Sequence, residues 1–432
     1  MAAAAALLTV GALALAGCSA SGGESVSADE DQTISVMYAS NELSPEQIAA
    51  FEDENPNIKV EFIEFDQTRL NTMLAAGDPP DFVRGAPSAN TFAKGLATSL
   101  DDYVANSKVI TEDELLPINN NWRWDGKKSG EGSLYGIVKD WSPDATIWQN
   151  TALFEQAGVE PLSTTEPVSW DELLDVAKEL KAGGAKHGLG VEWAWGLAAP
   201  MFTMILQQGG TIYNADLTEA DFTSPEAQRA FQWFVDYAKA DVGPTSLNPL
   251  PDGSDMNVFG TGEMATTMDG FWFGGGFTGD EFAGLRDTIS MAPAPTFDER
   301  VSPSFNGGIG AWIPSASKHK DAAWKFMEYF MAGQPAIDRA KSGWGVPSLK
   351  SLLDYVPSDF PYQTQSLETA KGEFEFNTLL PDSPYIQAQA WIDTIDAQLQ
   401  AVIKGEKTTA EATQTVEDEI NKLLAQGKDQ LG

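Results

Sequence analysis

Residues 33–83 alternate between strand patterns and helix patterns, and this alternation constrains the fold more than any other feature of the chain. Apolar residues at every second position predict strands at 33–39 and 58–62, and a short apolar run predicts a third at 82–83. The stretches between them are amphipathic, and the first begins at the helix-capping sequence Ser44-Pro45-Glu46-Gln47. Strands that alternate with helices are typical of a parallel sheet covered by helices. We therefore expect an α/β fold.

Two loops of this predicted sheet are placed to meet a ligand. Ligands of parallel sheets bind beyond the carboxyl ends of the strands. In this chain those ends lead into loops 40–42 and 84–88. Asn41 and Arg84 are therefore candidate ligand-binding residues.

Length and charge limit the classes of protein to which the chain can belong. A chain of 432 residues predicts two or three domains. The net charge of −36 repels phosphate backbones, so nucleic acid is not expected as a partner. One cysteine and two histidines leave little material for metal or redox chemistry. A segment that starts like a calcium loop at Asp255 has Thr266 where the twelfth ligand should stand. We expect no metal and no cofactor.

The amino-terminal residues predict export and an anchor. Residues 1–17 are uncharged and rich in Ala and Leu, which is typical of a secretory signal. The usual basic start of a signal is missing, which allows a start codon further upstream. Leu15-Ala16-Gly17-Cys18 resembles the lipobox of bacterial lipoproteins, which implies that Cys18 carries lipid and holds the protein on the extracytoplasmic face of the cell membrane. An ordinary signal with a buried cysteine nearby is the alternative. Residues 18–32 are rich in Ser, Gly and acidic residues and predict a flexible tether.

The remainder of the chain resembles the family 1 extracellular solute-binding proteins of ABC importers, the maltose-binding-protein-like group. The segments that carry the resemblance are 148–180, 207–210, 259–272, 307–313 and 318–326. Their order and spacing support it together. The family implies a two-lobed fold in which each lobe holds a mixed sheet flanked by helices, with the ligand cleft between the lobes. It implies one lobe at 33–145 plus 290–335 and the other at 146–289 plus 336–432.

The resemblance also implies a binding protein that delivers its ligand to a membrane permease. We expect a monomer without enzymatic activity. The thirteen tryptophans favour a carbohydrate ligand, most simply an oligosaccharide, because sugar rings stack on flat aromatic faces. The alternative is a lipid-anchored glycan-active enzyme such as a glycoside hydrolase, which needs a pair of carboxyl groups across a cleft. With 63 acidic residues in the chain, the sequence singles out no such pair. A purely adhesive surface lectin is a third possibility.

Two aromatic segments are candidate sugar platforms. Asp269-Gly270-Phe271-Trp272 combines an acid with aromatic rings and precedes three glycines predicted to be flexible. We predict that Asp269 hydrogen-bonds the sugar and that Trp272 stacks on it, as the resemblance also implies. Burial of Phe271 and Trp272 in the core is the alternative. In Glu192-Trp193-Ala194-Trp195, the alternating Trp193 and Trp195 share one face, either as a sugar platform or as a packed strand.

The remaining candidates are single residues in glycine-rich or loop segments. Asn306 and Gly307 bring an amide beside exposed backbone, near the position where the family contacts its ligand. Trp344 lies between two glycines, which is unusual for a core residue. Asp140 precedes the predicted passage between the lobes and completes the predicted binding set.

Overall fold

A computed structural model describes nearly all of the predicted binding protein. The residues described are 27, 29–191, 193–250 and 254–431, except for the side chains of Ala194 and Trp195. The predicted signal at 1–17, Cys18 and the first part of the tether lie outside these residues.

Thirteen strands are described, most of them short. They are Gln32–Tyr38 (β1), Ile58–Glu64 (β2), Phe82–Gly85 (β3), Arg123–Trp124 (β4), Ser133–Leu134 (β5), Ile137–Val138 (β6), Asp140–Trp141 (β7), Ile147–Asn150 (β8), His187–Gly190 (β9), Met264–Met268 (β10), Ile289–Ala292 (β11), Gly310–Trp312 (β12) and Val346–Pro347 (β13).

Fifteen α-helices surround the strands in the described part of the chain. They are Pro45–Glu54 (α1), Gln67–Ala76 (α2), Ala89–Ala93 (α3), Asp101–Asn106 (α4), Thr151–Ala157 (α5), Trp170–Ala182 (α6), Trp193–Gly196 (α7), Ala198–Gln207 (α8), Pro225–Ala240 (α9), Asp255–Gly260 (α10), Lys320–Ala332 (α11), Gln334–Ser342 (α12), Pro361–Glu373 (α13), Ala388–Ile403 (α14) and Thr409–Leu431 (α15). Among the described residues, none of the helices has both the length and the apolar character needed to cross a bilayer.

The first sheet confirms the alternation predicted from the sequence. Its strand order is β2-β1-β3-β12-β6, and β1 pairs in parallel with both β2 and β3. Helix α1 begins as expected, because the Ser44 hydroxyl accepts the Gln47 backbone N–H while the Gln47 side chain accepts the N–H of Ser44. Strand β12 lies antiparallel between β3 and β6 and makes the sheet mixed.

The second sheet is also mixed, with the order β11-β8-β10-β9. Strand β8 runs antiparallel to both β10 and β11, and β10 runs parallel to β9. The chain therefore passes from the first sheet to the second between residues 138 and 147. It returns between residues 292 and 310, and these two passages connect the halves of the molecule.

Each sheet has its own aromatic packing. Beside the first sheet, Phe326 of α11 makes edge contacts with Phe51 and Phe82. Beside the second sheet, Trp170 and Trp233 pack edge to face, and the Trp233 indole donates to the Trp170 carbonyl at 2.8 Å. The helices α6, α8, α9, α14 and α15 contribute buried side chains to this second core. Together the two sheets and their helices form a two-lobed α/β fold.

Residues 334–352 pack beside the first sheet. Strand β13 pairs with β7, and the backbone N–H of Leu116 donates to the Ser348 carbonyl at 2.9 Å. Leu349 and Leu352 belong to a core cluster that includes the buried side chains of β1 and β3. The lobe boundaries predicted from the sequence assign residues from 336 onward to the second lobe, and these boundaries stay a prediction.

Two fully buried tyrosines differ in the hydrogen bonding of their hydroxyl groups. The Tyr237 hydroxyl donates to the Leu189 carbonyl at 2.8 Å, whereas the Tyr38 hydroxyl has no partner among the described residues. We expect Tyr237→Phe to lower the free energy of unfolding by about 1 kcal/mol, because a made hydrogen bond is lost. Tyr38→Phe should leave it unchanged or raise it slightly, because an unsatisfied polar group is removed. Urea unfolding of both variants tests this, and an equal loss in both would contradict it.

Candidate binding site

Two of the predicted site residues, Trp272 and Trp344, lie against each other. Their ring centroids are 5.7 Å apart and their planes meet at 48°. Trp272 lies on a 3₁₀ helix at Phe271–Phe277 that follows a strand of the second sheet, whereas Trp344 lies in the segment beside the first sheet. Both rings are partly exposed. We call them the aromatic pair, and it joins the two halves of the molecule.

The glycines after Trp272 form a tightly packed support. Gly274 lies against the buried ring of Trp148, and a Cβ added at Gly275 would lie 2.9 Å from the Cα of Trp344. A side chain at Gly275 would therefore separate the surfaces that carry the aromatic pair. The glycines allow backbones to approach closely here, and the predicted flexibility of the run stays a prediction.

Five charged side chains meet near the carboxyl ends of β1 and β3, and we call them the charged cluster. They are Glu42, Arg84, Lys139, Asp140 and Arg339. The Glu42 carboxylate accepts hydrogen bonds from Nε of Arg84 at 3.1 Å and from Nη2 of Arg84 at 2.9 Å. It also accepts a hydrogen bond from the Lys139 ammonium. Asp140 accepts Nε of Arg339. The cluster therefore contains the predicted site residues Arg84 and Asp140.

Burial and the neighbouring charges shift the pKa values of Glu42 and Lys139. Burial would raise the pKa of Glu42, but the hydrogen bonds from Arg84 and the charge of Lys139 outweigh it and lower the pKa to about 2. Burial lowers the pKa of Lys139 to about 8, although Asp140 and Glu42 oppose the change. At neutral pH the cluster holds three cations and two carboxylates.

Gly345, next to Trp344, lies between the aromatic pair and the charged cluster. A Cβ added at Gly345 would lie 2.7 Å from the Cβ of Asp140, so the backbone next to Trp344 rests on this carboxylate residue. Asp140 lies on β7, and Trp344 lies just before β13. These two strands pair, with Val346 opposite Trp141. The aromatic pair and the charged cluster are therefore neighbours, joined through Gly345.

The structure corrects two of the predicted contacts. Asp269 is only 1% exposed and accepts the Thr267 hydroxyl at 2.8 Å, so its carboxylate lies in the interior and not on a cleft wall. Trp193 is 4% exposed; its indole donates to Asp396 at 2.7 Å, and its ring stacks on Tyr237. Trp193 begins a short helix and belongs to the second core. The Trp195 side chain lies outside the described part of the chain.

The predicted loop residues lie at the surface and at a tight turn. Asn41 and Asn306 are exposed. Gly307 has a φ of 64° and is buried, and a Cβ there would lie 2.7 Å from Cγ of Pro87. The turn therefore requires glycine and lies against loop 84–88, which is one of the two predicted ligand loops.

Sequence reasoning missed three members of the charged cluster. Glu42 lies in a predicted ligand loop and Lys139 is next to Asp140, so position alone could have suggested both. Arg339 lies on helix α12 in a sequence rich in polar residues, and no local signal distinguishes it.

Asp144 ties together the two passages between the sheets. Its backbone N–H donates to the Pro303 carbonyl at 3.1 Å. Its carboxylate accepts the Phe305 backbone N–H at 2.8 Å and the Ser304 hydroxyl at 3.1 Å. Burial raises the pKa of Asp144 to about 7, although these hydrogen bonds oppose the change.

A second contact joins residues that follow α13 to helix α3. Asp382 accepts the Ala89 backbone N–H at 2.6 Å, and the Asn90 side chain donates to the Pro384 carbonyl at 2.7 Å. Ser383 in turn donates to the Leu217 carbonyl, which belongs with the second core. Burial raises the pKa of Asp382 to about 6.

Comparisons with known proteins agree with the resemblance described from the sequence. The family model described as bacterial extracellular solute-binding protein matches residues 38–332. A maltotriose-binding protein of Pyrococcus abyssi is 27% identical over 295 residues, which are 67% of this chain and 59% of that protein. The match thus spans about three-fifths of that relative.

Solved structures share the fold. An ABC substrate-binding protein of Listeria monocytogenes in complex with cycloalternan has a TM-score of 0.74 at 24% identity, covering 91% of this chain and 99% of that one. The sugar-binding protein MalE of Xanthomonas citri has a TM-score of 0.67 at 20% identity, covering 92% and 98%. At these identities the likeness is evidence for the fold alone.

Proposed function

Because the chain belongs to the family of bacterial extracellular solute-binding proteins, we propose that it captures an oligosaccharide and delivers it to the permease of an ABC importer. The observation that carries the proposal is the partly exposed aromatic pair, Trp272 and Trp344, beside the charged cluster. Aromatic faces stack on sugar rings, and planar charged side chains hydrogen-bond sugar hydroxyls. The site offers both kinds of contact within one surface.

The relatives support a sugar over other solutes. The Pyrococcus abyssi relative is named for maltotriose, and the Listeria monocytogenes protein was solved with cycloalternan. An amino acid would need separate clamps for its amino and carboxyl groups, and a metal ion would need a ligand set. Among the described residues, no group of three or more His, Cys, Asp or Glu side chains could hold a metal ion.

Capture would work by closure of the two lobes over the ligand. Trp344 lies beside the first sheet and Trp272 follows the second, so a sugar held by both favours the closed arrangement. A ligand shifts this equilibrium only by its differential affinity for the two states. Asp144 lies where the passages meet and would serve as part of the hinge.

The anchor completes the proposal. Lipid on Cys18 would hold the protein at the extracytoplasmic face of the cell membrane, and residues 18–32 would give it reach toward the permease. We propose that the protein acts as a monomer, since one chain supplies both sides of the site.

A panel of oligosaccharides tests the function by thermal shift. Binding to the folded state alone stabilises it by about 2.7 kcal/mol at a ligand concentration of 100 Kd, so at least one sugar should raise the melting temperature by several degrees. Chromatography of the sugar recovered after incubation with the protein should show that it is chemically unchanged. Product formation would indicate a glycan-active enzyme, and no shift with any sugar would contradict carbohydrate capture.

A further inference from the structure

We propose that the charged cluster is a subsite for one anionic substituent of the sugar, which makes the ligand an acidic oligosaccharide such as one containing a uronic acid. This inference rests on the proposed function and narrows its substrate class. The group that meets the anion is the free end of the Arg339 guanidinium, with Arg84 beside it.

The charge balance of the cluster is the first argument. Glu42 pairs with Arg84 and Lys139, and Asp140 pairs with Arg339. Three cations thus share two carboxylates, although the protein as a whole carries a net charge of −36. The side chains of Arg84 and Arg339 are only 21% and 17% exposed, and that of Lys139 is 4% exposed. Poorly solvated charge needs a compensating partner, and an anionic ligand supplies the missing negative charge.

Among the described residues, no carboxylate other than Glu42 and Asp140 forms an ion pair with these three cations. Asp144 lies near Asp140 in the chain, and the repulsion between the two contributes to its raised pKa of about 7. Its oxygen accepts hydrogen bonds from Phe305 and Ser304, so it faces the second passage and not the arginines. Lys139, with a pKa of about 8, remains largely charged at neutral pH.

The free donors of the two arginines are the second argument. Arg339 uses Nε for Asp140, and its two terminal nitrogens make no hydrogen bond to the described part of the chain. Arg84 uses Nε and Nη2 for Glu42, which leaves Nη1 without a described partner. A guanidinium presents its donors as a rigid fork that matches the oxygens of a carboxylate.

The position of the cluster is the third argument. Asp140, the partner of Arg339, supports the backbone beside Trp344 through Gly345. A sugar ring stacked on the aromatic pair would carry its substituents toward this corner of the site. Asp140 thus contacts both Arg339 and the backbone beside Trp344, so a carboxylate on a sugar bound at the aromatic pair would have the arginine fork nearby.

The sharpest test compares acids with their own methyl esters. Trisaccharides of galacturonate, and xylotriose carrying a glucuronate, are titrated into the wild-type protein by calorimetry beside their methyl esters, which keep the shape and lose the charge. We expect an acid to bind about tenfold tighter than its ester, or more. Sulfated galactose trisaccharides are titrated in the same way. If they bind more tightly than every uronate, the anionic subsite is supported and its ligand group is a sulfate ester.

Variants of the cluster then locate the subsite. Arg339→Gln should remove the preference for acid over ester, and Lys341→Gln, two residues further along α12, should keep it. Since Arg339→Gln leaves Asp140 short of a partner and can impair folding, Arg339→Lys is the second variant; it keeps the charge, loses the fork and should reduce the preference. Equal binding of acids and esters by the wild type, while neutral sugars bind, would overturn this inference and leave the proposed function standing. Failure of every sugar, neutral or anionic, would overturn the proposed function itself.

Discussion

Replacing Trp272 with alanine is expected to weaken oligosaccharide binding by about 50-fold. Removal of the indole takes away roughly 100 Å² of apolar contact, worth about 2.5 kcal/mol at 25 cal/mol per Å². The ring is partly exposed and lies 5.7 Å from Trp344, so its loss also leaves Trp344 without its neighbour. Calorimetry should show the weaker affinity, and the quenching of tryptophan fluorescence by sugar should fall sharply.

The same substitution separates the two interpretations of Trp272. Its ring also packs on Phe273, so some stability will be lost in either case. If Trp272 is only a packing residue, the melting temperature falls while the affinity of the folded protein for the sugar is unchanged. That result would contradict the site assignment. Tyr355→Ala is the matched control, because Tyr355 is an exposed aromatic residue elsewhere on the surface. It should leave the affinity unaltered.

The first sheet could be predicted from the sequence because each of its elements has a local pattern. Alternating apolar residues define β1 and β2, and Ser44 with Gln47 marks the start of the helix between them. The same local logic predicts Trp272 and Trp344 as site residues, because a large aromatic residue among glycines fits poorly into a regular core.

The errors arise where distant parts of the chain decide the outcome. The two-residue spacing of Trp193 and Trp195 suits a strand, but Trp193 begins a short helix and is held by Tyr237 and Asp396 from other helices. Arg339 is indistinguishable locally from a solvated helix residue, and only tertiary contact brings it to Asp140, 199 positions earlier. Neither the burial of a side chain nor the approach of two backbones can be read from neighbouring residues alone.

Asp144→Asn is expected to stabilise the protein most above neutral pH and to stabilise it less near pH 5. The carboxyl group has a folded pKa of about 7 because of burial, against about 3.9 when unfolded. Between these values the folded state binds the proton more tightly, so stability falls as pH rises toward 7 and then stays level. A shift of about three units corresponds to at most about 4 kcal/mol. Asparagine can still accept the Phe305 N–H, and it has no charge to bury.

Urea unfolding of wild type and Asp144→Asn between pH 5 and pH 8.5 measures this difference directly, since every other titrating group cancels in the comparison. The two stabilities should differ by about 1.5 kcal/mol near pH 5 and by up to about 4 kcal/mol at pH 8. Asp53→Asn, an exposed change on α1, should follow the wild type at all pH values. A loss of stability in Asp144→Asn that is the same at every pH would mean that the ionised carboxylate itself holds the passages together. The expected result instead places a group that titrates near neutral pH where the two passages between the sheets meet.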